Sequence, residues 1–552
     1  MFKLHFLKKL HTLRIFIIIL TIAIISTIPA FLHGTFKLSF DGNIHLSRYE
    51  SIFQAFQHGS LPTLVNFIGM NHTGLSMNGM YPWVTSIIFV IPRFFINQPI
   101  IALMIGFIIL NFITIFNTFL LAKFITNKRS VQILGIAIYQ FSSYHMSVLY
   151  SRNAMGEAIA YAFLPLVLLG CLKIWENPKN TGWILLGFGM AAIANSHVIS
   201  LIIASAMVFI LIFLRLINQK LSSTELFTYL KAIILAVCAS LYSLINIFSI
   251  ATSNFLINPT PKILPIIPSK LLPILLDNSI IERANSFNIG PINTLLLFIF
   301  VILLFTSQHK GRWRGWIIAT TILFFCTFSW IPWNILINTP VQLIQFLGRL
   351  LFVVSLLLSI SVMYYLDENK LPENKFKYFI SLSLMIVSLS AVYNYHGINL
   401  NDGTRFWLTK NNYQKIITHS SIGLDYLPSK NESQRKQRIS DFRHATKLKL
   451  SPIKQYYNRA TYQITVPSQG KYQLPIAIYS GISYIVKVND KTIDNISGSS
   501  LKTHLNKGKN NIAIKALVNP LNYITFLISI LSWLYGFVLI YLYHTKNCQR
   551  KH

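Results

Sequence analysis

IFIIILTIAIISTIPAFL, residues 15–32, and the HGTFKLSFDGNIHLSR that follows it, residues 33–48, decide the fold class. The first part carries no charge and approaches the roughly 20 apolar residues needed to cross a bilayer core. The second part turns polar at once. It brings Asp41, His45 and Arg48 to the place where such a helix leaves the membrane.

Similar apolar runs recur outward from this point, ending with Ile524–Tyr543. The whole chain of 552 residues is 53% hydrophobic and 12% charged, against about 25% charged in soluble domains. Most of its surface therefore does not face water. The net charge is +32, but the Lys and Arg lie largely in short loops between apolar runs. That distribution fits the positive-inside rule and speaks against a nucleic-acid patch. Cys171, Cys238, Cys326 and Cys548 show neither a disulfide framework nor metal-ligand spacing.

With Lys3, Lys8, Lys9 and Arg14 inside, the basic short loops alternate correctly for about a dozen spans, near 15–33, 99–124, 131–147, 157–174, 181–195, 198–217, 226–250, 291–307, 316–330, 346–366, 376–395 and 524–543. The start is read as an uncleaved helix rather than a signal peptide. Trp83–Ile96, interrupted by Pro92 and Arg93, must then lie in plane or re-enter. The expected organisation is a transmembrane domain over 1–395, with a long external loop at 34–98. An extracytoplasmic domain over 396–520 follows, then a final helix and basic cytoplasmic tail over 521–552. Both termini fall in the cytoplasm of a plasma-membrane protein.

Residues 396–520 carry 19 Lys and Arg against 6 Asp and Glu, a net +13. The second half alternates like strands at Tyr462–Val466, Tyr472–Ile478, Ser483–Val488 and Asn511–Ala516. Val488-Asn489-Asp490-Lys491 has the composition of a hairpin turn. A β-sandwich-like module is expected there.

Acids are scarce, with 16 in the chain. No predicted span holds a charge near its middle, which argues against an ion-coupled transporter. Five acids, Asp41, Glu50, Glu157, Asp277 and Glu282, gather at the predicted outer boundary. A helix over 43–57 puts Leu46, Tyr49, Phe53 and Phe56 on one stripe, with His45 and Arg48 beside it and Asp41 at its start. Such a helix would present those polar groups to a cavity. Asp41 reads equally well as a helix N-cap, and His45 and Glu50 as solvated residues. Arg152 and Glu157 form a second base–acid pair, although Glu157 also suits the first turn of a helix. Gln345-Phe346-Leu347-Gly348-Arg349 sets a guanidinium at a span's outer end, where it fits a phosphate or snorkels to headgroups. His197, with Asn195 and Ser196, reads as a packed polar residue.

The order of these features resembles the polyprenyl-phosphate-dependent GT-C membrane glycosyltransferases: Asp41 with its D-x-x-x-H-x-x-R helix, Gly59-Ser60-Leu61-Pro62, then Tyr81-Pro82. Residues 345–349 are similar to the Q-F-P-W-R motif of bacterial YfhO-like proteins, with Leu347-Gly348 in place of Pro-Trp. Asp425-Tyr426-Leu427-Pro428 is similar to that group's D-Y-L-P. The resemblance implies a GT-C-like helical membrane fold and an inverting, hexosyl-type transfer. The donor would be a polyprenyl-phosphate sugar and the acceptor an anionic wall polymer such as lipoteichoic acid. It implies Asp41 and Glu157 as catalytic acids, and His45, Arg48, Arg152 and Arg349 as substrate and phosphate ligands. No nucleotide motif is present, and no cofactor or metal is indicated beyond the lipid-linked donor. A flippase, scaffold or transporter component of envelope assembly is the alternative.

Overall fold

A computed structural model describes residues 2–179, 181–257, 262–281, 286–369, 374–399, 405–418, 425–429, 440, 450–493, 496 and 498–549. Glu282, Glu373, Asp402, Glu432, Asp441 and Asp494 lie outside the described residues.

The protein is a polytopic helical membrane protein with a C-terminal β module. Every predicted span is helical, but the helices differ in reach. Seven are long and apolar enough to cross a membrane, and an eighth forms if Ser223–Ala239 and Leu241–Ser253 count as one span bent by 70°. Gly182–Ala194, Pro291–Thr306 and Trp313–Cys326 have only 13, 16 and 14 residues. At about 1.5 Å per residue they fall short of a hydrocarbon core of about 30 Å. The Arg129–Gln140 helix likewise stops at 12 residues and gives way to Ser143–Met146 and a π-helical turn, Ser147–Ser151. Ile87–Phe95 is a nine-residue helix that contains Pro92, too short to cross.

Large apolar side chains stay exposed along the long helices, among them Phe209, Phe213, Phe379 and Phe537. Lipid, not water, is the solvent that suits them. Inside the bundle, polar groups are matched to each other. Asn111 donates to Thr27 and to the Tyr150 hydroxyl, and accepts from Gln140 at 2.7 Å. Gly170 lets Met155–Glu176 and Gly182–Ala194 touch, because a Cβ there would lie 2.5 Å from the Leu186 nitrogen.

The C-terminal module has a five-stranded antiparallel sheet in the order Ser451–Gln455, Arg459–Val466, Gly508–Ala516, Tyr484–Val488, Lys491–Ile493. A second ribbon pairs Gly470–Ala477 with Ser500–Leu505. The turn at Asn489 and Asp490 has both residues at positive φ, 49° and 65°, the backbone of a tight hairpin. Two described segments earlier in 396–520 pair with the first half of the chain. Phe406–Leu408 pairs with Phe36–Leu38, and Pro428–Ser429 pairs with Phe255–Leu256.

One side of the module packs on the first loop. Val65, Phe67, Met70 and Leu75 share a core with Tyr462, Ile464, Ile476 and Ile512. The Tyr462 hydroxyl donates to the His72 carbonyl, and the Ala477 N–H donates to the Thr73 carbonyl. The module therefore holds down the 63–81 loop, which roofs the site described next.

Candidate functional site

Helix Phe40–Gln57 begins three residues earlier than the pattern predicts. Its cap is Ser39, whose hydroxyl accepts from Gly42 N–H, so Asp41 sits in the first turn and does not cap. The Ser39 N–H donates to Asn153 Oδ1 at 2.6 Å, and its hydroxyl donates to the Arg152 carbonyl. Gly42 allows that approach, since a Cβ would lie 2.7 Å from Asn153 Oδ1. The helix start is thus pressed onto the 152–154 turn, and Asp41 Oδ2 comes 3.7 Å from Arg152 Nε.

Glu157 lies one turn further, at the start of Met155–Glu176, where the helix dipole favours a carboxylate. Its Oε2 is shared by two guanidiniums. Arg152 Nη1 is 3.0 Å away and Arg349 Nε 3.4 Å. Its Oε1 accepts from the Tyr144 hydroxyl. Arg349 projects from the 3-10 turn Leu347–Leu350 and donates to the Ile344 carbonyl and to Gln345 Oε1. Gly348 is required by packing, because a Cβ there would sit 2.4 Å from the Phe287 ring. Phe346 gathers three cations: Arg152, Arg349 and Lys262 lie 5.5, 5.1 and 4.6 Å from its centroid.

Asp41, Arg152, Glu157 and Arg349 line a cavity of about 170 Å³, together with His45, Tyr81, His197, Asp425 and Tyr426. Met70, Leu75 and Met77 close it from the first loop. Asp41 and Glu157, two of the three acids that line it, differ sharply. The Asp41 side chain is 46% exposed, at the mouth, whereas that of Glu157 is 4% exposed, at the floor. Burial and the neighbouring Arg48 guanidinium hold His45 well below the ordinary histidine range. Burial likewise lowers His197 to about 3, and its Nδ1 accepts from Ser200 N–H. Both imidazoles are therefore neutral at pH 7.

Of the predicted residues, Asp41, His45, Arg152, Glu157 and Arg349 meet at one cavity. Arg48 does not line it. It is fully buried behind His45, donating to Asn78 Oδ1 and to the carbonyls of Tyr81 and Pro82 while it stacks on the Tyr81 ring. Those carbonyls satisfy a guanidinium that has no carboxylate beside it, so Arg48 fixes the Tyr81–Pro82 turn. Glu50 is not solvated. It is buried 3.7 Å from Arg93, with the Tyr413 hydroxyl alongside.

The sequence reading missed His197 and Lys262 as neighbours of the site. The break Asn195-Ser196-His197 between two apolar helices was the available signal for the first, and Lys262 offered none. A larger cavity, about 1020 Å³, opens elsewhere among Leu32–Thr35, Asp277–Ile281 and Ala391–Ile398. It holds Asp277 but none of the paired acids and guanidiniums. Among the described residues, no group of three His, Cys, Asp or Glu side chains is arranged to hold a metal ion.

No family model matches the chain. A protein of Lactococcus lactis subsp. cremoris (strain MG1363), described as uncharacterized, is 25% identical over 217 residues, which is 38% of this chain and 35% of that protein. The matched part thus spans about a third of that relative. Among solved structures, the cryo-EM structure of the arabinofuranosyltransferase AftD from Mycobacteria is similar with a TM-score of 0.47 and 13% identity, over 69% of this chain and 27% of that one. Likenesses of this extent assign no activity. The YfhO-like resemblance rests on the sequence motifs alone.

Proposed function

We propose that the protein is a membrane glycosyltransferase that moves a sugar from a polyprenyl-phosphate carrier to an extracytoplasmic acceptor, a teichoic acid or another wall polymer. One observation carries the reading. Segments that are distant in sequence, around 41, 152–157 and 349, deliver two carboxylates and two guanidiniums to one cavity, which Asp425 also lines.

In the proposed step the bond between the anomeric carbon and the phosphate oxygen breaks, and a bond from the acceptor hydroxyl oxygen forms. The hydroxyl proton passes to Asp41, and the electron pair leaves with the phosphate. Asp41 suits the base because it is exposed to an incoming hydroxyl and sits beside the Arg152 guanidinium, while the exposed Asp425 lines the same cavity. Arg349 and Arg152 suit the leaving phosphate, since fixed cations in a poorly hydrated site stabilise developing negative charge. Glu157 orients both guanidiniums and is too enclosed to meet an acceptor. Arg48 and His45 position Tyr81 at the cavity wall.

Asp41→Asn is expected to lower sugar transfer by about 10²- to 10⁴-fold. Stability should stay near wild type, because an exposed pair at 3.7 Å is worth about 1 kcal/mol or less. Transfer is read from glycosylation of wall polymers in a strain that carries the variant as its sole copy. Unchanged glycosylation with normal protein levels removes Asp41 from the chemistry and favours a non-catalytic flippase or scaffold. The sharing of Glu157 by both guanidiniums already fits that second reading.

A further inference from the structure

We propose that the outward face of the five-stranded sheet docks a linear polyanion, a hydroxylated chain with a phosphodiester in each repeat. The inward face of this sheet is occupied. Ala460, Tyr462, Ile464, Val486, Ile512 and Ile514 are buried in the core shared with the first loop. The alternate residues of the same strands point the other way, and they follow a charge pattern.

Register places Lys454, Thr461, Ala513, Lys487 and Thr492 in one row across all five strands. The next row along runs Arg459, Lys515 and the exposed Ile485, and Lys509 stands opposite Thr465 at the far end of the sheet. Lys454, Arg459, Lys487, Lys509 and Lys515 are all exposed, and among the described residues no carboxylate shares the face. The basic composition of the chain does not account for this concentration, because only 48 of 552 residues are Lys or Arg. Between the charged rows lies a neutral one, Ser451, Gln463 and Asn511, which offers hydroxyl and amide partners. Lys454 and Lys487 are three strand steps apart, about 14 Å, and Lys509 and Lys515 are about 20 Å apart along one strand.

An array of this width fits an extended chain whose anions recur between hydroxyl-bearing stretches. Lysines act as point charges suited to the single delocalised charge of a phosphodiester. Nucleic acid fits poorly, since single-strand binding relies on open aromatic platforms, and Tyr456, the aromatic beside Arg459, is already covered by its guanidinium at 4.5 Å. A membrane surface fits poorly too, because the opposite side of the sheet is the one turned to the helices and their loop. The inference rests on the proposed function only for the fate of the bound chain, since docking itself requires no transfer.

The test uses the full chain in zwitterionic nanodiscs with synthetic poly(glycerol phosphate), and with uncharged polyglycerol of equal length as control. Wild type is compared with K454Q/K487Q/K509Q/K515Q. The expected result is binding of the charged polymer alone, with a log–log salt slope of about −3.5 for five contacts, falling to about −0.7 in the variant. Affinity in the variant is expected to drop more than about tenfold at low salt. Equal binding by the variant overturns the proposal, as does equal binding of polyglycerol. Loss in the variant of binding to anionic vesicles, with no polymer bound by either protein, also overturns it in favour of membrane docking. Asp41→Asn should bind the polymer as wild type does, so failed docking and failed transfer are read separately.

Discussion

Glu157→Gln isolates the electrostatic centre of the site. The amide keeps an oxygen for the Tyr144 hydroxyl and nearly the same volume, so what is lost is the negative charge between two guanidiniums. Those guanidiniums lie 3.0 and 3.4 Å from it, on side chains only 12% and 7% exposed. Removing one partner from a buried ion cluster costs about 3–5 kcal/mol, because the remaining charge stays desolvated. Unfolding entropy of about 2.1 cal/mol/K per residue converts this, over a chain of this length, to a fall in Tm of about 3–4 °C. The assay is thermal unfolding of the full protein in detergent, with and without undecaprenyl phosphate. Without the lipid the variant is expected to melt lower. With it, the variant should gain more than wild type, since the phosphate restores an anion where the carboxylate was. A variant that melts within about 1 °C of wild type refutes the shared-carboxylate account. Equal stabilisation of both proteins by the lipid phosphate refutes its binding at the guanidiniums.

Gly348→Ala forces a methyl to within 2.4 Å of the Phe287 ring and should cost about 1–3 kcal/mol. It should also displace Arg349, so thermal unfolding and donor KM are both expected to move, and an unshifted melt argues against the tight approach. Acidification tests the two neutral imidazoles: His45 is well below its ordinary pKa when folded and His197 is near 3, while both titrate near 6.5 when unfolded. The unfolded chain therefore binds more protons below pH 6.5, and stability should fall from there toward pH 3 by up to about 1.4 kcal/mol per unit for each histidine. A Tm that is flat between pH 6.5 and 5, or a His197→Gln variant with an unchanged slope, contradicts this. The Tyr479 hydroxyl accepts from Ser76 N–H and donates to the Tyr426 carbonyl, tying the module to two walls of the cavity. Tyr479→Phe should cost about 1–3 kcal/mol and raise donor KM more than it lowers kcat, and the reverse split would place the effect in chemistry.

Apolar run length located the helices of every predicted span, because burial in lipid writes itself as continuous hydrophobicity, but not the short helices Pro268–Leu276 and Tyr413–Thr418. It did not fix helix reach. Gly182–Ala194 and Trp313–Cys326 are flanked by other protein segments as well as lipid, so their apolar runs read longer than their helices. The Asn489–Asp490 turn was legible because both residues tolerate positive φ. Strand Ser451–Gln455 was not, since an edge strand exposed along most of its length has no alternation to read. Helical periodicity put His45 and Arg48 on one face, yet periodicity cannot say what covers a face. His45 meets the cavity, while Arg48 is buried against the Tyr81 and Pro82 carbonyls, contributed by residues more than thirty positions away. Asp41 and Glu157 stood out for a different reason: the chain holds only 16 acids, and these lie at helix starts on the predicted outer boundary, whereas Arg349 was marked by its Gln345–Arg349 motif.

The arrangement also separates the two guanidiniums by role. In an inverting transfer the attacking hydroxyl and the leaving phosphate lie on opposite sides of the anomeric carbon, so the base and the phosphate ligand need a sugar's width between them. Arg152 touches Asp41 at 3.7 Å as well as Glu157 at 3.0 Å. A phosphate held by Arg152 alone would therefore crowd the base. Arg349 is anchored by Glu157, the Ile344 carbonyl and Gln345. Under the proposed transfer the phosphate is therefore assigned to Arg349, and Arg152 to Asp41, which it contacts at 3.7 Å. Should Arg152 prove the stronger phosphate ligand, the same carboxylate would sit on the leaving-group side, and the geometry would fit retention instead.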